Sequence, residues 1–201
     1  MDAGQIEFRF KGRRDYIHGT DMFNAMLDTC RSVGELRNIR FSVHEFVHAP
    51  VCRLWIANSK DEVSGVDGVR ARCQIEVNGS VHWMALTELG GDQLTGGRYE
   101  YDEDGIVSLC RISEDGISLI HESPYTFIEN IVAMNKHMHQ QMFPEAPGKW
   151  IFTRVDLDQD CDAKANLSLK FRHNMNFRLT KSDILVDGQK IGDLYFSLMK
   201  S

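Results

Sequence analysis

The chain has 201 residues, a length that suits one large domain or two small ones. Its net charge is −6 and its basic residues are scattered, which argues against a general nucleic-acid binder or a protein of anionic membrane surfaces. The five cysteines are widely spaced without a Cys-x-x-Cys pair, so free thiols in a reducing compartment are expected. No apolar run is long enough for a signal peptide or a membrane span. The sequence therefore predicts a soluble protein of the cytoplasm.

The first elements in chain order are a strand and an amphipathic helix. Ile6 to Phe10 alternates apolar and polar residues, as a half-buried strand does. Thr20 to Val33 predicts a helix, because its apolar residues recur on one helical face. These residues are Met22, Phe23, Met26, Leu27 and Cys30. Thr20 or Asp21 is expected to cap the start of this helix, and Gly34 is expected to end it.

Strands follow this helix. Ile39 to Ala57 is rich in β-branched and aromatic residues and is too long for one strand, so two strands or one bent strand are expected. Asn78 and Gly79 lie between two strand-like runs, and they predict a hairpin because both residues tolerate positive φ. The glycine-rich segment from Gly90 to Gly97 indicates a short linker.

The second half repeats this order of elements. A pair of strands is expected at Ile106 to Leu109 and Ile117 to His121, followed by a helix at Tyr125 to Met142. A long strand region is expected at Trp150 to Phe171, and a final hairpin turn at Asp187 and Gly188. Ser123 and Pro124 stand where the cap and first turn of the second helix are expected. The chain is therefore expected to consist of two matching halves.

The repeat places the two units at residues 1–92 and 93–201, packed together as one pseudo-dimeric domain. The order of strand, helix and several antiparallel strands resembles the hotdog fold, in which a curved sheet wraps one apolar helix. Two copies in one chain resemble a double hotdog. The expected fold class is therefore α+β, with two tandem β-α-β-β-β units whose antiparallel sheets wrap central helices.

One local stretch, Asp15 to Ala25, is similar to the entry of the central helix in thioesterases of the 4-hydroxybenzoyl-CoA and YbgC type. In those enzymes an Asp, a Gly and an aromatic beside a small polar residue open the helix. The resemblance implies an acyl thioester between the two units, carried by CoA or acyl carrier protein, with its carbonyl at a helix N-terminus. Backbone N–H groups and the helix dipole stabilise an oxyanion there. A nearby carboxylate or histidine then activates water or abstracts a proton.

The first helix supplies most of the candidate site residues. His18 has an intrinsic pKa suited to a general base, and its alternative is a loop histidine bonded to backbone. Gly19 would let a ligand approach the backbone closely. Asp21 is a candidate base, with an N-terminal cap as its alternative. Asn24 is a candidate for orienting water or holding the thioester, with a solvated helical residue as its alternative. Phe23 is a candidate substrate contact.

The second helix supplies an echo of the same set. His121 occupies roughly the place of His18, with a hydrogen-bonded edge histidine as its alternative. Glu129 is either an exposed helical residue or the activating carboxylate. Met134 belongs to the core first and is also a candidate for the adaptable lining of an acyl tunnel.

No metal site and no cofactor are expected. His44 and His48 fall in a strand-like region, where residues four apart lie about 13 Å from each other. His137 and His139 are two apart on a helix and point in different directions. The sequence also has no phosphate loop, nucleophile elbow or dinucleotide fingerprint.

Two classes of function remain open. The first is an enzyme acting on acyl-CoA or acyl-carrier-protein thioesters, with hydrolysis as the leading hypothesis and a 3-hydroxyacyl-thioester dehydratase of fatty-acid or polyketide type as the alternative. The second is a non-catalytic acyl-binding or assembly module that kept the fold without the chemistry. No nucleic acid is expected as a partner, and the sequence leaves open whether two chains form a homodimer.

Overall fold

The computed structural model describes residues 2–90 and 97–199, and the chain divides into two compact units, Met1–Tyr101 and Asp102–Ser201. Residues 91–96 of the expected linker from Gly90 to Gly97 lie outside the described residues. The division falls after Tyr101 rather than after residue 92, because the short strand Arg98–Tyr99 pairs in parallel with Phe10–Lys11 of the first unit.

The first unit contains seven strands and two helices among its described residues. In chain order these are β1 (Asp2–Glu7), β2 (Phe10–Lys11), α1 (Gly19–Arg31), β3 (Leu36–Val43), β4 (Val51–Ala57), α2 (Lys60–Ser64), β5 (Val69–Val77), β6 (Ser80–Glu88) and β7 (Arg98–Tyr99). Five of the strands form an antiparallel sheet in the order β1-β4-β6-β5-β3. The remaining two, β2 and β7, form a separate parallel pair.

Most local predictions for this unit are confirmed. The region from Ile39 to Ala57 forms two strands, β3 and β4. Asn78 and Gly79 have φ angles of 49° and 82° and join β5 to β6 as the expected hairpin. The predicted strand from Ile6 to Phe10 is instead divided between β1 and β2. The division arises because Phe8 N–H bonds to the carbonyl of Pro50, whereas Phe10 N–H bonds to that of Gly97.

The helix α1 buries the apolar face that its spacing predicts. Its five apolar residues are all buried, and the helix packs against β3 and β5. The ring of Phe23 meets that of Phe41 on β3 edge to face, with 5.4 Å between centroids. Helix and sheet therefore hold each other through a shared apolar layer.

The second unit contains two helices and six strands among its described residues. These are α3 (Glu103–Ser108), β8 (Cys110–Ile112), β9 (Gly116–Leu119), α4 (Phe127–Met142), β10 (Lys149–Gln159), β11 (Leu167–Met175), β12 (Leu179–Val186) and β13 (Gln189–Met199). Within this unit the strands follow the order β10-β13-β12-β11-β9-β8 and every neighbouring pair is antiparallel. As expected, Trp150 to Phe171 forms two strands, and Asp187 and Gly188 join β12 to β13 at positive φ.

One predicted strand of the second unit is wrong. Residues 106–109 belong mainly to the helix α3 rather than to a strand. The side chain of Asp102 accepts a hydrogen bond from the N–H of Gly105 and so caps the helix. Ile106 is then buried as α3 packs on α4. A short apolar run has no periodicity that separates a strand from a single helical turn.

The helix α4 has 16 residues and is buried on more than one face. Most of its apolar residues lie in the core, and three polar side chains, Asn130, Asn135 and His139, are 0 % exposed. Burial of so many polar groups is unusual, and each requires partners within the unit. No helix within residues 2–90 and 97–199 is long and apolar enough to cross a bilayer.

His139 lies in an aromatic cage in the core of the second unit. Its ring contacts those of Trp150 and Phe196, with centroids 4.5 and 5.7 Å away. Nδ1 lies 2.7 Å from the carbonyl oxygen of Asn135, and Nε2 lies 2.7 Å from Oγ1 of Thr180. Burial lowers the pKa of His139 to about 4. The imidazole is therefore neutral at physiological pH, with Nδ1 as the donor to the carbonyl.

Replacing Gly192 by alanine is expected to lower the free energy of unfolding by about 1–3 kcal/mol. Gly192 is buried on β13, and a Cβ there would lie 2.1 Å from the carbonyl oxygen of Asp156, which belongs to the neighbouring strand. Urea denaturation of the wild type and of Gly192→Ala measures the loss. Gly4→Ala on β1 is the matched control, because a Cβ at that position meets nothing within 4 Å. Equal stability of the two variants would contradict this close approach of the strands.

Candidate functional site

A cluster of polar side chains lies at the start of α1. Lys11 on β2 is 0 % exposed, and its Nζ donates to Oγ1 of Thr20 at 2.7 Å. The same Nζ lies 2.8 Å from Oδ1 of Asp21, which also accepts a hydrogen bond from the hydroxyl of Tyr99 at 2.8 Å. Nδ1 of His18 lies 2.8 Å from Oγ1 of Thr20. Five side chains from three elements and the segment before α1 thus form one connected network.

The pairing of β2 with β7 brings this cluster together. Lys11 lies opposite Tyr99 in the register of the two strands, although 88 positions separate them in the chain. The ammonium of Lys11 lies 4.5 Å from the ring centroid of Tyr101 and 5.7 Å from that of Tyr99. A carboxylate, a hydroxyl and two aromatic faces therefore compensate the loss of water around the buried cation.

The N-terminus of α1 is not closed by the side chain of its cap residue. His18 is the N-cap, with extended φ and ψ of −73° and 144°, and its side chain accepts no hydrogen bond from the first turn. The expected caps were Thr20 and Asp21, but both lie inside the helix, which begins at Gly19. Amide N–H groups at a helix start carry partial positive charge and favour a negatively charged oxygen. This helix start can therefore polarise a carbonyl brought against it.

The structure brings together three of the predicted residues of the first unit. His18, Gly19 and Asp21 lie next to each other at the start of α1, where His18 and Gly19 are half-buried. Asn24 is also half-buried and lies four residues after Thr20, on the same side of the helix. Phe23 is 1 % exposed and packs in the core.

The predicted residues of the second unit do not form an equivalent cluster. His121 is exposed in the segment between β9 and α4. Glu129 is 8 % exposed, so its interpretation as an exposed residue is wrong. Its Oε2 accepts hydrogen bonds from the backbone N–H of Thr126 at 2.9 Å and from the hydroxyl of Thr126 at 2.7 Å, the geometry of a capping box. Met134 is 0 % exposed in the core.

Replacing Glu129 by alanine is expected to lower the free energy of unfolding by about 1 kcal/mol, because the capping box is lost. Glu129→Gln keeps an acceptor oxygen and is expected to retain most of the stability. Chemical denaturation of the variants measures the difference. The control is Glu122→Ala, an exposed glutamate just before the same helix. A loss at Glu129 no larger than at Glu122 would contradict the capping role.

The cysteines are poor candidates for a nucleophile. All five are free, and burial raises the pKa of Cys52 to about 12 and that of Cys110 to about 11. Burial also raises the pKa of Cys73 and Cys161. The thiolate is the reactive form of cysteine, and it is disfavoured at these four positions.

The described part of the chain has no group of three or more His, Cys, Asp or Glu residues arranged to hold a metal ion. His44 lies 3.3 Å from the hydroxyl of Ser42 through Nε2, and Nδ1 of His48 lies 2.9 Å from the carbonyl oxygen of Asp15. Each of these histidines therefore has a protein partner of its own. The chemistry available at the α1 cluster is that of an imidazole, a carboxylate and backbone amides.

Sequence reasoning missed two members of the cluster, Lys11 and Tyr99, and the neighbouring ring of Tyr101. Lys11 lies just after the predicted strand, and continuing its alternation places Lys11 with the polar residues Glu7 and Arg9 rather than with the apolar ones. Tyr99 and Tyr101 follow the expected linker from Gly90 to Gly97. No local pattern connects these positions, because their contact depends on the parallel pairing of β2 with β7.

No protein-family model matches the chain, and no curated protein matches it in sequence. Among solved structures it is similar to a putative thioesterase II from Thermobifida fusca, with a TM-score of 0.54 and 7 % identity over 100 % of this chain and 93 % of that one. It is also similar to the dehydratase domain of PpsC from Mycobacterium tuberculosis in complex with C12:1-CoA, with a TM-score of 0.52 and 8 % identity over 98 % of this chain and 93 % of that one. The tesB protein of Mycobacterium avium subsp. paratuberculosis gives a TM-score of 0.52 and 8 % identity over 98 % and 92 % of the two chains. Together with the two helix-and-sheet units, these likenesses show that the chain has an α+β fold of the double-hotdog type.

Proposed function

We propose that this protein hydrolyses acyl thioesters at the start of α1. The observation that carries the proposal is the cluster of His18, Thr20, Asp21 and Lys11 beside a helix N-terminus without a side-chain cap. Such a site combines a group that can take a proton with amides that can stabilise an oxyanion. The fold supports the same reaction class, since one of the similar structures is named as a putative thioesterase II.

In the proposed reaction His18 acts as the general base. Its imidazole takes a proton from water as the water oxygen attacks the thioester carbonyl carbon, and the amides at the start of α1 stabilise the oxyanion that forms. The C–S bond then breaks, and the leaving thiolate receives the proton from the imidazolium. The products are a carboxylic acid and a free thiol. Gly19 would allow close approach of the thioester, and Asn24 would orient the attacking water.

The proposed substrate is an acyl chain carried by CoA or by acyl carrier protein. The PpsC dehydratase domain, which shares the fold, was crystallised with C12:1-CoA. The apolar face of α1 at Phe23 would receive the first carbons of the chain, and Met134 would contact an acyl chain at α4. Both residues lie in the cores of their units, so access requires displacement of neighbouring side chains.

We assign the chemistry to α1 alone. At α4, Glu129 already accepts two hydrogen bonds from Thr126, so its carboxylate is engaged in capping the helix. His121 is exposed in the segment before α4. The proposal also places the protein in the cytoplasm, where free thiols are maintained, with a homodimer as the state to be tested by light scattering.

The experiment is a thiol-release assay on the purified full chain. Short, medium and long acyl-CoA and the corresponding acyl carrier proteins are incubated with the protein, and free thiol is followed with a chromogenic disulfide. His18→Ala is expected to lower kcat by about 10²-fold or more, the usual contribution of a general base. The matched control is His121→Ala, which removes an exposed histidine before the other long helix and is expected to leave kcat unchanged.

Other outcomes of this assay identify the competing functions. Absence of thiol release from every substrate would overturn hydrolysis. Conversion of a 3-hydroxyacyl thioester to its enoyl form without thiol release would favour the dehydratase, whose fold is shared by the PpsC domain. Binding of an acyl thioester with no turnover, unaffected by His18→Ala, would favour an acyl-binding or assembly module.

A further inference from the structure

The hydroxyl of Thr20 lies at the centre of the α1 cluster. Within the described residues three polar side-chain atoms lie within hydrogen-bonding distance of its Oγ1. They are Nζ of Lys11 at 2.7 Å, Nδ1 of His18 at 2.8 Å and Oδ1 of Asp21 at 3.4 Å. A threonine hydroxyl has one proton to donate and two lone pairs that accept, so it can satisfy three neighbours at most.

The chemical nature of these neighbours restricts the direction of each bond. The ammonium of Lys11 can only donate, and an ionised Asp21 can only accept. If all three contacts are hydrogen bonds, the single proton of Thr20 points to Asp21, and His18 must donate from Nδ1. The opposite arrangement, with the proton pointing to His18, would set a lone pair of Oγ1 against the carboxylate oxygen.

Resting on the proposed function, we propose that Thr20 is a positioning residue that fixes the tautomer of His18. The relay from Asp21 through Thr20 holds the proton of the neutral imidazole on Nδ1. Nε2 then carries the lone pair that a general base needs. A carboxylate that orients an imidazole in this way is a familiar device in catalysis, and here a hydroxyl connects the two groups.

Lys11 and Tyr99 support the relay from the other side. Lys11 donates to Thr20 and lies against Asp21, so it occupies one lone pair of Oγ1 and favours the ionised carboxylate. Tyr99 donates to the same carboxylate oxygen at 2.8 Å and holds its position. Both residues therefore act on His18 through Thr20 and Asp21, without contact with the reacting atoms.

The test is the tautomer of His18 in the intact chain, measured without substrate. Protein labelled with ¹⁵N at histidine is studied by NMR at about pH 8, where an ordinary imidazole is neutral. The signals of His18 are assigned by their loss in His18→Gln. We expect a protonated Nδ1 and an unprotonated Nε2 in the wild type and in Thr20→Ser, and a loss of this preference in Thr20→Val. A protonated Nε2 in the wild type would overturn the proposal.

Kinetics provide the second measurement. We expect Thr20→Val to lower kcat about tenfold or more with little change in KM, and Thr20→Ser to restore most of the rate, because serine returns the hydroxyl. Equal rates for the valine and serine variants would contradict the relay. If Thr20→Val fails to fold, the wild-type spectrum alone decides the tautomer. The spectrum is independent of turnover, so a failure of thioester hydrolysis is distinguishable from a failure of the relay.

Discussion

Replacing Lys11 by methionine is expected to lower the free energy of unfolding by about 3–5 kcal/mol, the usual loss when one partner of a buried ion pair is removed. Lys11 is 0 % exposed and the side chain of Asp21 is only 14 % exposed, so water does not screen the charge that remains. The hydroxyl of Thr20 also loses its short bond to the ammonium. Urea denaturation near neutral pH measures the effect.

Two further variants separate the ion pair from simple loss of packing. Lys60→Met is the matched control, because Lys60 is exposed above the ring of Trp83. The double variant Lys11→Met with Asp21→Asn removes both charges and is expected to recover much of the lost stability. A loss of less than about 1 kcal/mol for the single Lys11 variant would show that solvent reaches and screens the charge of Asp21.

Acidification is expected to destabilise the protein through His139, by about 3 kcal/mol between neutral pH and pH 4. The pKa of His139 is about 4 in the folded chain, against an ordinary 6.5. Between these values the unfolded chain binds a proton that the folded chain does not. The stability is therefore fully present above pH 6.5 and is lost progressively as the pH falls toward 4.

The measurement is the free energy of unfolding at several pH values for the wild type and His139→Gln. The glutamine variant cannot titrate, so its pH dependence is expected to be shallower in this range. Carboxylates with lowered pKa, such as Glu88 and Asp183, also contribute stability that is lost as the pH falls. This loss is the same in the wild type and in His139→Gln, so it cancels when the two proteins are compared. The control is His137→Gln on the same helix, and a slope unchanged by His139→Gln would contradict the burial of a neutral imidazole.

The fold could be predicted from the sequence wherever its signals are local. The pairs Asn78-Gly79 and Asp187-Gly188 adopt the positive φ that a two-residue hairpin needs. The apolar residues of α1 recur at helical spacing, and all of them are buried. The strand prediction for residues 106–109 was wrong because the run is too short for its period to be recognised. The Asp102 cap favours the helix α3 there instead.

The candidate site was predictable only in part. His18, Gly19 and Asp21 are neighbours in the chain, so any helix beginning there brings them together. The contact between Lys11 and Tyr99 depends on a pairing of distant strands, which no local pattern reveals. The capping role of Glu129 was accessible, since Thr126 and Glu129 have the spacing of a capping box.

The difference between the two helix starts bears on how a duplicated fold diverges. A helix whose first turn is sealed by its own side chains gains stability, whereas an unsealed one keeps its amides available for a guest. In this chain the first copy has the unsealed start and the second has the sealed one. Engineering a second reactive centre would therefore begin by releasing Thr126 from Glu129. The stability lost in that step, about 1 kcal/mol, is small enough for the rest of the chain to tolerate.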